Sequence, residues 1–295
     1  MKGTRIKDDI RTFWNEHPCG AKFAAEDIGS PAFFDEVEHH RYALEPHILE
    51  MAPFDEARGK RVLELGCGIG TDGAQFSRKD GWYIGSDMTE RAVRISQQRF
   101  RSEGLHGNFV ILDAESLPYS SDRFDIVYSH GVLHHTPDTE RAFSEVHRVL
   151  KAGGKAVIMV YHRSSWNYHI GIKVIRRLGV ELLRFSWGPR FVHRLTGEAI
   201  ERLEQHQAML KESGSEYLTE AAFLSQNTDG PGNPLSKVYT RQQLRRMLHL
   251  FSEVRTCVRF LRRDRIPVVG SLLPNWLDSA MGRAWGWHLY AVVTK

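Results

Sequence analysis

The chain has 295 residues, 41% of them hydrophobic, enough for one well-buried core with additions. Its three cysteines, Cys19, Cys67 and Cys257, are far apart and odd in number, so no disulfide framework is implied, and their spacing argues against an iron–sulfur ligand set. The formal net charge of +4 is unevenly spread: residues 163 to 194 hold seven Lys/Arg against Glu181, and residues 241 to 265 hold eight Arg against Glu253 and Asp264. Such basic stretches suit solvated faces, or an acidic substrate or anionic surface near a site mouth.

The start, MKGTRIKDDIRTFW, lacks an apolar signal core, and no apolar run approaches membrane-spanning length, so a soluble cytoplasmic protein is expected. Residues 6 to 14 and 34 to 51 read as helices, separated by a loop with Pro18, Gly20, Gly29 and Pro31. Nothing near Cys19, in the segment WNEHPCG, obviously lowers its pKa, and loop packing is its expected role.

Val62, Leu63 and Leu65 suit a short strand buried on both faces of a parallel sheet, spanning 61 to 65. The run breaks into Gly66, Cys67, Gly68, Ile69 and Gly70, and a helix starts with Thr71 or Asp72 as its N-cap. A second strand, 82 to 86, ends at Asp87, and an amphipathic helix follows from 89 to 100. A third strand, 109 to 112, ends in Asp113-Ala114-Glu115, and a fourth spans 124 to 129. The helix from 139 to 150 is expected to stop at Gly153-Gly154, and strand five runs 156 to 161. This alternation predicts an α/β fold with a doubly wound, mostly parallel sheet.

After strand five the alternation stops. Residues 163 to 237 carry helices at 166 to 185 and 197 to 213, then the polar loop TDGPGNPLSK. A helix at 240 to 250, a strand at 253 to 260 and a last strand at 287 to 294 complete the chain, with no internal repeat. The 261-to-286 connection is longer than a hairpin needs.

The glycine register decides the ligand class. A dinucleotide fingerprint starting at Gly66 and Gly68 needs its third glycine where Thr71 stands; here it is Gly70, giving G-x-G-x-G with Glu64 two residues ahead. That pattern resembles motif I of the class I S-adenosylmethionine-dependent methyltransferases, of the small-molecule, ubiquinone- and menaquinone-biosynthesis-like type. FDIVYSHGVLHHTPD from Phe124 and LKAGGKAVIMV from Leu150 resemble the family's motif IV and the turn and strand after it. The resemblance covers residues 57 to 162. It implies a Rossmann-like sheet of seven strands with the last strand antiparallel between the fifth and sixth. It divides the chain into an N-terminal helical cap (1–56), a cofactor-binding core (57–162), a helical substrate lid (163–237) and the rest of the core (238–295).

The resemblance also implies S-adenosylmethionine as methyl donor, with S-adenosylhomocysteine as product. Its expected shell comprises Glu64, Gly66, Cys67, Gly68 and Gly70 in the first turn, then Asp87, on the ribose hydroxyls, and Met88. Asp113 takes the adenine amino group and the Ala114 N–H a ring nitrogen, with Glu115 adjoining. Ser129 and His130 follow at the fourth strand, and Arg41 or Tyr42 reaches the methionine end from the N-terminal helices.

The sulfonium already makes the methyl group electrophilic, so orientation of the acceptor can supply as much as ~7–11 kcal/mol. A hydroxyl or carbon acceptor would also want a general base, worth ~10²–10⁴ in rate. His130 and His162, at the carboxyl edges of strands four and five, are the candidates, histidine being suited by its near-neutral pKa. His134 is expected to order the turn. His135, Tyr161, Trp166 and Phe191 are expected to face the acceptor, with TDGPGNPLSK as the hinge of a lid. His130 and His134 are four apart, but no H-E-x-x-H or cysteine partner accompanies them, and no metal is expected.

The expected partner is a small-molecule acceptor with an O-, N- or C-nucleophile, apolar or aromatic and possibly acidic. A peripheral membrane enzyme with a quinone-like or lipidic acceptor is the alternative, given the basic, aromatic segment 166 to 194. No nucleic-acid module is present, and SHGV stands where base-amino methyltransferases carry Asn-Pro-Pro-Tyr. Nothing in the sequence sets an oligomeric state.

Overall fold

The computed structural model describes residues 2–261 and 275–295. Its centre is a seven-stranded sheet in the order β3-β2-β1-β4-β5-β7-β6. The strands are β1 (Arg61–Leu65), β2 (Trp82–Asp87), β3 (Asn108–Ile111), β4 (Phe124–His130), β5 (Leu150–Tyr161), β6 (Glu253–Arg259) and β7 (His288–Thr294). The first five run parallel, and β7 lies antiparallel between β5 and β6, the expected arrangement.

Residues of β1 and β4 divide between the two faces because strand side chains alternate. Val62, Ile126 and Tyr128 pack with Phe76, of α4 (Thr71–Arg78), and Phe100, of α5 (Glu90–Ser102). Leu63, Leu65 and Val127 pack with Phe143 and Val146, of α6 (Thr139–Val149). Both faces are covered, which is why β1 reads as a nearly continuous apolar run.

Several boundaries differ from expectation. The helix expected over 34 to 51 divides into α2 (Pro31–Leu44) and α3 (His47–Met51), since Pro46 disfavours helical backbone before it. The first helix, α1, extends over Lys2–Glu16. The N-cap of α4 is Gly70 (φ 79°), and Thr71 and Asp72 lie inside the helix with their side chains engaged elsewhere. Gly153 and Gly154 do not end α6. The chain enters β5 directly after Val149, and the two glycines lie where the β4–β5 register shifts between Phe124 and Ile126.

The insertion after β5 is more broken than its apolar periodicity suggested. A π-wound stretch, Asn167–Arg176, continues into α7 (Arg177–Leu182), and α8 (Gly188–Thr196), α9 (Ile200–Ser213) and α10 (Glu220–Thr228) follow. These elements share their own apolar cluster of Tyr168, Ile172, Val180, Leu183, Leu203 and Phe223. Pro189 near the start of α8 and Gly197 (φ 71°) at its end punctuate that helix. Then come α11 (Arg241–Met247), β6, α12 (Asn275–Trp285) and β7. Of the long connection singled out in the sequence, residues 262–274 lie outside the described residues. Among the described residues no helix is long and apolar enough to cross a membrane.

TDGPGNPLSK is not a free hinge. Asn233 is fully buried, Lys237 N donates to His134 O (3.1 Å), and Lys237 Nζ donates to Thr136 O and Pro137 O (2.8 and 2.7 Å). The loop is stitched to the turn after β4.

Candidate active site

The turn after β1 is held against β2 by Gly66 N and Cys67 N, both donating to Ser86 O (2.7 and 2.8 Å). Gly66 and Gly68 have φ of 76° and 54°, where a side chain is disfavoured. They differ in what a Cβ would meet. At Gly66 it would lie 2.2 Å from Val132 Cγ2, whereas at Gly68 it would meet nothing within 4 Å. Gly66 is therefore demanded by packing, and Gly68 presents bare backbone to a cavity of about 310 Å³ at the carboxyl ends of β1 to β4.

Asp87 closes the other side of the turn. Its Oδ2 accepts from Gly68 N (3.2 Å) and its Oδ1 from Thr89 N and Thr89 Oγ1 (both 2.9 Å). Burial raises its carboxyl above the usual range, and these hydrogen bonds partly offset that. Asp113 also lines the cavity and accepts from Lys7 Nζ of α1 (2.6 Å), which lies 2.5 Å from Glu115 as well. Lys7 carried no sequence signal, because only the docking of α1 brings it to β3.

Of the residues expected around the methyl donor, Glu64, Gly66, Cys67, Gly68, Asp87, Met88, Asp113, Ala114 and His130 line the cavity. Gly70, Glu115, Ser129 and Tyr42 do not. Glu115 accepts from Asp138 N (2.7 Å), Ser129 Oγ donates to Leu65 O (3.2 Å), and Tyr42 donates to Asp72 (3.1 Å). These three support the wall from behind.

A charged cluster stands at the far end. Arg41 of α2 grips Asp72 through Nε–Oδ1 (2.8 Å) and Nη2–Oδ2 (2.6 Å), and Tyr128 OH donates to the same carboxylate (2.9 Å). Burial alone would raise the Asp72 carboxyl. The Arg41 charge and the hydrogen bonds from Arg41, Tyr128 and Tyr42 outweigh it and hold the group below its usual range. Glu64, buried nearby, is pushed up to about 8 by burial and by the Asp72 charge, with Tyr83 OH donating to it at 2.5 Å. A carboxyl raised in the folded state favours folding while protonated. Stability is therefore expected to fall as pH rises from the ordinary glutamate value toward 8, by up to about 1.4 kcal/mol per unit. Urea unfolding of Glu64→Gln between pH 5 and pH 8 should show a flatter profile than wild type; parallel profiles would rule this out.

Arg41 Nη2 also approaches His130 Nδ1 (3.4 Å), and His130 Nε2 lies 2.9 Å from Tyr290 OH. Assigned from these partners, Nδ1 accepts and Nε2–H donates. Burial, then the Arg41 and His47 charges, keep the ring neutral, with its pKa well below the usual value. His47 Nε2 is 3.0 Å from His288 Nδ1. The donor nitrogens of His47, His130 and His288 lie within 4.8 Å of one another, a set that sequence reasoning about metals did not bring together. Here His47 and His288 are hydrogen-bonded to each other and His130 to Tyr290, beside the Arg41 guanidinium.

The other predicted residues separate. His135 and Tyr161 line the cavity, and Tyr161 OH donates to Asp229 Oδ1 (2.7 Å). His162, next along β5, faces away, buried with Nδ1 3.0 Å from Gly286 O, because successive strand side chains point to opposite faces. It lines neither cavity, so no group bound there is within its reach. His134 is fully buried against the Tyr161 ring (3.8 Å). Trp166 lines a second cavity of about 180 Å³, which shares Leu44, Glu45, Tyr161 and His288 with the first. Phe191 is exposed beside Trp187 and reaches neither cavity. Cavity residues that the sequence reading did not place there include Asp229, hidden in the supposed hinge, and Glu45 and His288, brought in by helix docking and strand β7.

The strand order, the G-x-G-x-G turn, and the acids at the end of β2 and after β3 are gathered on one cavity, the layout of a methyltransferase domain. The model of the methyltransferase domain family matches residues 56–226, and the chain belongs to that family. It is similar to the methyltransferase GfsG of Streptomyces halstedii, 27% identical over 181 residues that make up 60% of each chain. It is also similar to the ubiquinone/menaquinone biosynthesis C-methyltransferase UbiE of Idiomarina loihiensis, 32% identical over 111 residues, 36% of this chain and 44% of that one. The chain thus spans about three fifths and under half of these relatives' lengths. Among solved structures, magnesium protoporphyrin IX methyltransferase from Synechocystis PCC 6803, with bound S-adenosylhomocysteine, shares the fold. Its TM-score is 0.56 at 13% identity, covering 98% of this chain and 99% of that one. The bare backbone at Gly68 and the carboxylates of Asp87 and Asp113 on one cavity fit such a nucleoside.

Proposed function

We propose that the chain transfers a methyl group from S-adenosylmethionine to a small-molecule acceptor, apolar or aromatic, through an O-, N- or C-nucleophile. The observation that carries this reading is the pair of cavities with a common wall of Leu44, Glu45, Tyr161 and His288. In this reading the first cavity takes the donor. Asp87 accepts from the ribose hydroxyls, Asp113 and the Ala114 N–H take the adenine edge, and the bare backbone at Gly68 admits the nucleoside closely. The second takes the acceptor, against Trp166, Trp287 and Phe260, with Arg176 for an acidic group.

The bound donor supplies an electrophilic methyl group, and the chain's residues orient the acceptor and hold the protons. His130 and His288 stand in the cavity wall as neutral imidazoles. Burial and the neighbouring positive charges hold both well below the ordinary histidine value and so make them weak bases for a hydroxyl proton, and the His130 nitrogens are already engaged by Arg41 and Tyr290. An amine or thiolate would need neither. The division into cap (1–56), core (57–162 and 238–295) and insertion (163–237) belongs to the same proposal, the insertion supplying the acceptor side.

Titration calorimetry with S-adenosylmethionine and S-adenosylhomocysteine tests the donor half. Asp87→Ala should weaken binding by ~1.5–3 kcal/mol, on the order of 10- to 100-fold. Asp113→Ala should cost less, because the Ala114 backbone contact survives. Wild-type affinity in Asp87→Ala would sink the assignment. A quinone-like or lipidic acceptor met at a membrane is the second reading, favoured by the apolar surface of the insertion.

A further inference from the structure

The insertion leaves two groups of large apolar side chains exposed, on elements that touch each other, one along the π-wound stretch and α7 and one around α8. In the π-wound stretch and α7, Ile170, Val174 and Leu178 recur every four residues and are exposed, Leu178 by 63%. Phe185, Trp187, Phe191 and Leu195 follow and are exposed as well, Leu195 by 73%. Trp187 stacks on Phe185 (5.2 Å) and meets the Phe191 ring edge-on (5.5 Å), so the aromatics form one cluster. The helices do not need these residues for their own packing, since Tyr168, Ile172, Val180 and Val192 already face inward. Basic side chains stand among them. Lys173, Arg184, Arg190 and Arg194 are exposed, and among the described residues Arg190 and Arg194 have no carboxylate partner. Glu181 is the one acid between residues 163 and 194.

We propose that this face docks on an anionic lipid surface. Apolar and tryptophan side chains enter the boundary between headgroups and acyl chains, and arginines meet the lipid phosphates. A second copy of the chain suits the face less well, since apposing two such segments would bring like charge against like. The same stretch joins the surface to the site. Trp166, Asn167 and Arg176 line the second cavity, while Ile170 and Val174 between them point outward. Docking on this face sets the wall of that cavity against the bilayer, where an acceptor dissolved in lipid is within reach. That last step rests on the methyltransferase reading; the docking itself does not.

Co-sedimentation with vesicles tests it. Full-length protein should pellet with vesicles of phosphatidylcholine and phosphatidylglycerol in equal parts, and much less with phosphatidylcholine alone. Binding should weaken as salt rises, because the screening length shrinks from about 10 Å at 0.1 M to about 3 Å at 1 M. Leu178→Glu and Trp187→Glu should each lower partitioning about tenfold, and Arg190→Glu with Arg194→Glu should abolish the preference for anionic vesicles. All variants should keep wild-type affinity for S-adenosylhomocysteine, which separates loss of docking from loss of fold and from failure of the donor assignment. Failure to pellet with either vesicle, or pelleting that all the variants retain, would overturn the proposal. So would a dimer in light scattering that Leu178→Glu and Trp187→Glu dissociate, because the face would then belong to a second copy.

Discussion

Arg41→Ala is expected to lower folding stability by about 3–5 kcal/mol, the cost of leaving a buried carboxylate without its partner. Asp72 is 3% exposed and takes two hydrogen bonds from Arg41 in a fork that no other cation supplies among the described residues. Tyr42 and Tyr128 remain but bring no charge. Because Asp72 is held below its usual range in the folded state, its contribution is present above the ordinary aspartate value and is lost as pH falls through the depressed one. Without Arg41 the carboxylate takes up a proton more readily, so the deficit should shrink toward acid pH. Urea unfolding at pH 7 and pH 4.5 measures both effects, and Arg41→Ala with Asp72→Asn should lose less than the two single losses together. A deficit below 1 kcal/mol that did not change with pH would mean the pair is solvated and the cluster is not a structural charge centre.

Gly66→Ala is expected to cost about 2–5 kcal/mol, combining ~1–2 for a side chain in left-handed backbone with ~1–3 for overpacking. The new methyl would stand 2.2 Å from Val132 Cγ2 and 2.7 Å from Cγ1, on the segment after β4. Trimming the obstacle, as Val132→Ala in the same chain, should restore part of the loss. Gly68→Ala is the informative contrast. Its Cβ meets open space, so only the backbone strain should appear in unfolding, while affinity for S-adenosylmethionine should drop sharply. Equal stability losses at the two glycines, with S-adenosylmethionine affinity intact at Gly68, would mean that the turn does not cradle a ligand.

By itself the sequence determined the sheet and its glycine turn. Period-two and continuous apolar runs report burial directly, glycine spacing reports where backbone must come close, and an acid at a strand end needs no distant partner to be noticed. Hence Gly66, Gly68, Asp87 and Asp113 could be read locally, and all four line the cavity. What only the tertiary structure decided lies across long sequence separations. Lys7 meets Asp113, Arg41 meets Asp72 and His130, and His47 meets His288, through the docking of α1, α2 and α3 on a sheet that starts at Arg61. Periodicity cannot show such pairings, since a polar residue on a helix face looks the same whether it meets solvent or a buried acid. The same limit misassigned His162 and TDGPGNPLSK. One residue of strand register turned His162 away from the cavity, and side-chain hydrogen bonds turned a glycine- and proline-rich loop into the wall that carries Asp229.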